Sequence, residues 1–259
     1  MLAGEILSLY VAQRLGLQSV PCAALVPVDP FEKWNFADNQ QPEKWTPDTL
    51  AVVALWQAQL QSVALPKVLA AAIVGSRTPI VKTDVARMAA DDREQLLQWS
   101  DMIIFDYLIG HYDRLASLQD EAEKQGRPEL VYGWMRNAAI DTRDGRLWLF
   151  DNEPGVLDGY LLMYEQSSTR NDHIRFRALR ASTAELLLAW KRSAETANLR
   201  NALAIILDSA HREQPLLREL NVERMHAWPF VEQHFNERLT DVVEHATRCA
   251  MPLAQALDP

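Results

Sequence analysis

The chain has 259 residues, of which 48% are hydrophobic and 24% charged, enough to bury the core of one large globular domain or two small ones. A net charge of −9 argues against a nucleic-acid-binding surface, because such surfaces are basic. No apolar run reaches the length of about 18 residues that predicts a transmembrane segment, and the first residues lack the pattern of a signal peptide. The two cysteines, Cys22 and Cys249, can form one disulfide but define no disulfide framework.

The N-terminal part of the chain predicts one helix and two strands. Residues 5–15 repeat apolar side chains at intervals of four, which is typical of a buried helix face, and Gly16 marks the expected end. The apolar run 22–28 predicts a strand, and the polar stretch 29–47 predicts an ordered surface loop. Residues 50–56 favour a buried strand, with a helix as the competing interpretation.

The most regular helical pattern covers residues 91–110, where apolar side chains occupy two adjoining faces, so this helix should be buried on most sides. Gly110 predicts its end, and residues 121–128 are expected to be a charged surface excursion. A turn is predicted at 141–145, followed by a strand over 147–150. The remainder is mainly helical, with helices predicted over 182–197, 202–211, 216–225 and 231–248.

Two aspartates follow directly after apolar elements. Asp113 lies in the loop after the buried helix and precedes Arg114, while Asp151 ends the short strand and precedes Asn152. Alone, each aspartate is more typical of a turn or cap. Together they suit phosphoryl transfer, in which one carboxylate accepts a hydrogen bond from the attacking hydroxyl and the other holds Mg²⁺. Arg114 can pair with a neighbouring carboxylate or a phosphate, and Asn152 can add an oxygen or a hydrogen bond.

These motifs resemble those of the four-jointed box kinases, which are Golgi-lumenal Ser/Thr protein kinases. The resemblance implies an α+β, atypical protein-kinase-like fold with a mainly α-helical C-lobe over residues 61–259. Residues 1–60 are then a remnant of the N-lobe, with an αC-like helix and strands. The segments that carry the resemblance are 4–17 with Val20 and Pro21, 105–115, 135–137, 150–155 and 175–177.

The same resemblance suggests roles for individual residues. Asp113 matches the catalytic aspartate of the family, Asp151 its metal-binding aspartate, and Glu5 the helix glutamate that pairs with a nucleotide-contacting lysine. We therefore expect Asp113 and Arg114 to serve catalysis, Glu5 and Asn152 to serve cofactor binding, and Asp151 to bind the metal. An exposed glutamate favoured by the helix dipole remains an equal interpretation of Glu5.

The implied cofactors are ATP with Mg²⁺ or Mn²⁺. The implied partners are extracellular, cadherin-type protein substrates, phosphorylated on Ser or Thr in the Golgi lumen or after secretion.

Departures from the family pattern motivate an alternative. Four residues precede Glu5, so the glycine-rich strands and their lysine are expected in an upstream segment. Leu118 occupies the position five residues after the catalytic aspartate, where an asparagine often helps to hold a second Mg²⁺, and His111 stands where relatives tend to have asparagine. The alternative prediction is therefore a truncated or pseudokinase-like module that binds or regulates without catalysis.

Overall fold

The computed structural model describes residues 2–28, 49–74, 87–166, 181–196 and 202–254. It shows a mixed α+β protein that is mostly helical, as the sequence predicts. The described elements are α1 (Leu2–Arg14), β1 (Ala23–Pro27), β2 (Leu50–Ala54), β3 (Leu60–Ala64), α2 (Lys67–Val74), α3 (Ala90–Ile109), α4 (Leu115–Gln125), β4 (Trp134–Asp141), β5 (Leu147–Leu149), α5 (Gly159–Gln166), α6 (Ala181–Thr196), α7 (Leu203–Glu213) and α8 (Trp228–Ala254).

The strands form two small antiparallel sheets. β1 pairs with β2, with Ala23 opposite Ala54. β4 is the central strand of the second sheet, between β3 and β5. The backbone N–H of Leu149 at the end of β5 donates to the carbonyl of Ser19 at 2.7 Å, which joins this sheet to the segment after α1. The residues after β5 therefore lie close to α1.

Two buried helices, α1 and α3, organise the core around this point. Every residue of α3 from Trp99 to Ile109 is buried, because apolar side chains cover the helix on all sides in its second half. α1 packs against the turn at Pro154–Asp158, which follows Asp151 in the chain, and α8 packs along α3 and α6. The ends of α1 and α3 and the segment after β5 therefore meet in one region.

Several predicted elements are confirmed. Helices occur where 5–15, 91–110, 182–197, 202–211 and 231–248 predicted them, and strands where 22–28, 50–56 and 147–150 did. The predicted burial of 50–56 is wrong, because the strand is only half-buried at its start and Leu55 and Trp56 are 61% and 83% exposed. The competing helical interpretation of 50–56 is wrong, because Leu50–Ala54 pairs with β1. In the described part of the chain, no helix is both long and apolar enough to cross a membrane.

Two predicted segments need correction. Residues 121–128 are charged and, apart from Ala122, exposed as predicted, but they are not all loop, because α4 continues to Gln125. Residues 216–225 are not one α-helix but two 3₁₀ turns, Pro215–Leu220 and Val222–Arg224. Asn221 separates the two turns with a left-handed φ of 47°.

Other predictions fall outside the described residues or stay untested. β3 and α2 were not predicted, because their patterns are short. The predicted loop 29–47, the segment 175–177 and the side chain of Cys249 lie outside the described residues, and so does the pairing of Cys249 with the exposed Cys22. The division into 1–60 and 61–259 stays a prediction.

Candidate active site

The loop that carries Asp113 begins at the abrupt end of α3. Gly110 adopts a left-handed conformation with φ 69°, and its backbone N–H caps the helix by donating to the carbonyls of Asp106 and Tyr107. Glycine suits this position because other L-residues are strained at positive φ. The reversal places Asp113, which is half-buried, just beyond the buried C-terminal half of α3.

Arg114 lies inside the protein, with 0% of its side chain exposed. Its Nε donates to both carboxylate oxygens of Asp106 at 3.0 Å, Nη1 donates to the carbonyl of Phe150 at 2.9 Å, and Nη2 donates to Oδ1 of Asn152 at 3.0 Å. The sequence left open whether Arg114 pairs with a carboxylate or a phosphate, and in the structure it pairs with the carboxylate of Asp106. Since Arg114 holds both neighbours of Asp151, it fixes the two aspartate loops against each other.

Asp151 combines a fixed backbone with an exposed position. Its φ is 50°, another left-handed conformation, and its carbonyl oxygen lies 3.0 Å from Nε2 of His111. His111 is buried, with 1% exposed, whereas Asp151 itself is exposed. The main chain is therefore held from within the protein while the residue faces solvent.

Asn152 and Glu5 are brought together across the fold. Asn152 is fully buried, and its Nδ2 donates to Oε1 of Glu5 at 3.2 Å and to the carbonyl of Leu149 at 3.3 Å. Ser8 of α1 donates to the carbonyl of Asn152 at 3.2 Å. Burial raises the pKa of Glu5, and the hydrogen bond from Asn152 opposes this rise. Asn152 therefore links α1 to the Asp151 loop from a buried position.

An open cavity of about 520 Å³ lies beside Asp151 and Glu5, a volume suited to a small-molecule ligand. Its three charged residues, Glu5, Asp151 and Glu153, are all acidic, and in the described part of the chain no lysine or arginine lines it. The other lining residues come mainly from β2 and the residues after it: Leu2, Pro21, Thr49, Leu50, Ala51, Val52, Ala54, Leu55, Trp56 and Phe150.

The donor set of this cavity fits a hard cation, since Mg²⁺ and Mn²⁺ prefer carboxylate oxygens. Within the described ranges, no cluster of three or more His, Cys, Asp or Glu side chains is placed to hold a metal by itself. A cation at Asp151 would therefore complete its coordination with oxygens from outside the protein, as Mg²⁺ usually does with water and phosphate.

Sequence reasoning gave no role to two residues that shape the site, although both lie in segments that carry the family resemblance. Asp106 is 1% exposed within the apolar helix, and a charge on a buried face signals that a cation must pair with it. Asn137 lies in β4, and its Nδ2 donates to Oδ2 of Asp113 at 3.2 Å. Asparagine is rare in strands, and this is the local signal that could have singled it out.

The buried imidazole of His111 predicts a pH dependence of stability. Burial lowers its pKa below the usual 6.5, and the Arg114 cation adds to this effect. The unfolded chain then takes up a proton at higher pH than the folded chain, so stability falls as the pH drops from about 6.5 toward the lowered value. We expect His111→Asn to lose less stability than the wild type in this window, in which each pH unit costs the wild type up to about 1.4 kcal/mol.

Urea unfolding at a series of pH values above and below 6.5 measures this difference. The variant His226→Asn, at an exposed position, controls for the loss of one surface histidine. Equal acid sensitivity of His111→Asn and the wild type would contradict the prediction.

The fold and site thus define a mixed α+β protein with two aspartate loops joined by a buried arginine beside an acidic cavity. The protein-family model of the four-jointed box protein middle domain matches residues 1–251, and the chain belongs to this family, as the sequence motifs predict.

The comparisons also find individual relatives. Four-jointed box protein 1 of Mus musculus and of Homo sapiens are each 30% identical to the chain over 162 residues, covering 61% of this chain and 35% and 36% of those proteins. The Drosophila melanogaster protein named extracellular serine/threonine protein kinase four-jointed is 36% identical over 69 residues, covering 27% of this chain and 12% of that protein. The chain spans about a third of the length of the curated box proteins it matches. No solved structure matches it significantly.

Proposed function

We propose that this protein transfers phosphate from ATP to Ser or Thr hydroxyls of other proteins, with Asp113 and Asp151 as its two working carboxylates. The observation that carries the proposal is the position of Arg114, which follows Asp113 in the chain and bonds the residues on both sides of Asp151. One buried side chain thereby joins the Asp113 loop to the Asp151 loop, which lines the open cavity. The name of the Drosophila relative, a Ser/Thr protein kinase, supports the same reaction class.

Each residue has a distinct role in this proposal. Asp113 orients the acceptor hydroxyl and takes its proton as the oxygen bonds to the γ-phosphorus and the bond from that phosphorus to the departing ADP oxygen breaks. Asp151 holds Mg²⁺ or Mn²⁺, which when bound neutralises charge on the phosphates. Arg114 and Asn152 act as positioning residues, because both are fully buried and bonded within the protein. Glu5 faces the cavity, where an arriving cation favours its ionised form against the cost of burial.

The acidic lining of the cavity favours a second candidate, a pseudokinase-like binding or regulatory module. Phosphoryl transfer requires charge neutralisation around the phosphates, and among the described lining residues no cation supplies it. A nucleotide would then be held mainly through the metal at Asp151. This candidate predicts weak binding of Mg-ATP without turnover.

The proposed acceptors are extracellular proteins, met in the secretory pathway or outside the cell, because the Drosophila relative is named an extracellular kinase. Cadherin-type proteins are the acceptors we propose to test first. The Golgi lumen and the extracellular space are the corresponding locations.

Asp113→Asn and Asp151→Asn in the full chain test the proposal. We expect the wild type to be stabilised by metal-ATP, by about 2.7 kcal/mol at a hundredfold excess over the dissociation constant. Asp151→Asn should lose this stabilisation because it weakens the metal site. Asp113→Asn should keep it but lose phosphate transfer about 100-fold or more, because the base is removed. Thermal unfolding with Mg-ATP or Mn-ATP and labelled phosphate incorporation into a Ser-containing cadherin-type acceptor are the measurements.

The exposed Asp144 offers a matched control, since Asp144→Asn makes the same chemical change in the turn between β4 and β5. It should bind nucleotide and transfer phosphate as the wild type does. Transfer that survives both Asp113→Asn and Asp151→Asn would overturn the proposal. A metal-dependent thermal shift without phosphate incorporation would instead support the pseudokinase-like module.

A further inference from the structure

Asn137 has a backbone conformation that is unusual inside a strand. It lies in β4, where its φ of 55° is left-handed, whereas the next residue, Ala138, pairs regularly with Leu149 of β5. Asparagine tolerates this region better than most residues, and outliers of this kind concentrate at functional sites. The carbonyl of Asn137 accepts a hydrogen bond from the N–H of Phe150 at 2.9 Å. The main chain of Asn137 is therefore fixed to the residue directly before Asp151.

The side chain of Asn137 reaches the other aspartate loop. It is half-buried, and its Nδ2 donates to Oδ2 of Asp113 at 3.2 Å. A left-handed residue departs from the regular alternation of strand side chains. Asn137 thus contacts Asp113 through its amide and the Asp151 loop through its backbone.

From these contacts we infer that Asn137 is a positioning residue that holds the Asp113 carboxylate in the orientation needed for hydroxyl activation, an inference that rests on the proposed function. The amide anchors Oδ2 and leaves Oδ1 available for the hydrogen bond with the acceptor hydroxyl. A carboxylate anchored through one oxygen cannot rotate freely about its last side-chain bond. Such alignment matters because small misplacements of a reacting group reduce rate strongly.

The two anchor points also set the Asp113 carboxylate relative to the metal-binding loop. Phosphoryl transfer needs the hydroxyl, held at Asp113, in line with the phosphate, which is placed from the side of Asp151. Arg114 aligns the two loops through buried main-chain and side-chain contacts. Asn137 adds the contact that reaches the Asp113 carboxylate itself.

Asn137→Gly removes the side-chain amide but keeps the backbone conformation, because glycine adopts positive φ without strain. The variant therefore tests the contribution of the amide alone. We expect the variant to stay folded and to keep its KM for ATP, while kcat for phosphate transfer falls by about 10- to 100-fold through misorientation of Asp113. Asn221→Gly is the matched control, since Asn221 is exposed and has a similar left-handed φ of 47°. That control should transfer phosphate at the wild-type rate.

A double variant distinguishes positioning from a general structural effect. Because Asn137 acts through Asp113, Asn137→Gly combined with Asp113→Asn should transfer phosphate no more slowly than Asp113→Asn alone. If the two substitutions reduce the rate of phosphate transfer additively, the inference is wrong. It is also wrong if Asn137→Gly has the kcat of the wild type while Asp113→Asn is impaired. The proposed function survives both results. Wild-type transfer by Asp113→Asn, or no transfer by the wild-type chain, would refute the proposed function and this inference with it.

Discussion

Replacement of Arg114 by methionine is expected to destabilise the protein by about 3–5 kcal/mol, because it leaves a buried carboxylate without its cation. Asp106 is 1% exposed, so little water can solvate its charge once the guanidinium is gone. The substitution also removes the donors to the Phe150 carbonyl and to Asn152. Thermal unfolding should show a midpoint lower by roughly 10 °C, given about 2–4 °C per kcal/mol for a chain of this size.

The exposed pair between Arg127 and Glu129 provides the control, with 55% and 61% of its side chains exposed. Arg127→Met should cost less than about 1 kcal/mol, since water solvates both charges in either state. The double variant of Arg114→Met with Asp106→Leu should recover part of the loss, because no buried charge is left unpaired. Equal, small losses for Arg114→Met and Arg127→Met would contradict this account of the network.

Replacement of Gly159 by alanine is expected to destabilise the protein by about 1–3 kcal/mol through overpacking. The backbone of Gly159, at φ −61° and ψ −42°, suits alanine, so the cost is steric. An added Cβ would overlap the carbonyl oxygen of Gly110. This is a backbone atom, so the overlap cannot be relieved by a change of side-chain rotamer. The contact joins the start of α5 to the loop after α3, so relief of the overlap should also disturb the Asp113 and Asp151 loops.

Gly126→Ala is the control, because nothing lies within 4 Å of its added Cβ, although its φ of 62° carries a conformational cost. We expect that variant to lose some thermal stability and to keep its response to metal-ATP. Gly159→Ala should lose thermal stability and show a reduced response to metal-ATP. A Gly159→Ala variant that responds to metal-ATP like Gly126→Ala would show that the glycine contact does not position the site.

The sequence alone predicted most of the long helices and the positions of Asp113 and Asp151 after apolar elements. The periodic apolar positions of 5–15 and 91–110 predicted α1 and α3, because the spacing of apolar residues is a local property of the chain. Asp113 and Asp151 were found because each follows an apolar element. Residues 216–225 misled the same reasoning, since an acceptable helical pattern did not reveal that Asn221 breaks it with a positive φ.

Only the tertiary structure decided the partners of these residues. Asn152 contacts Glu5 across 147 positions of sequence and accepts from Arg114 across 38, and no local pattern encodes such contacts. Arg114 was consistent with pairing to a carboxylate or to a phosphate until folding buried it against Asp106. A buried charge must find its counter-charge and hydrogen bonds inside the protein, and which groups are available is set when distant segments pack together.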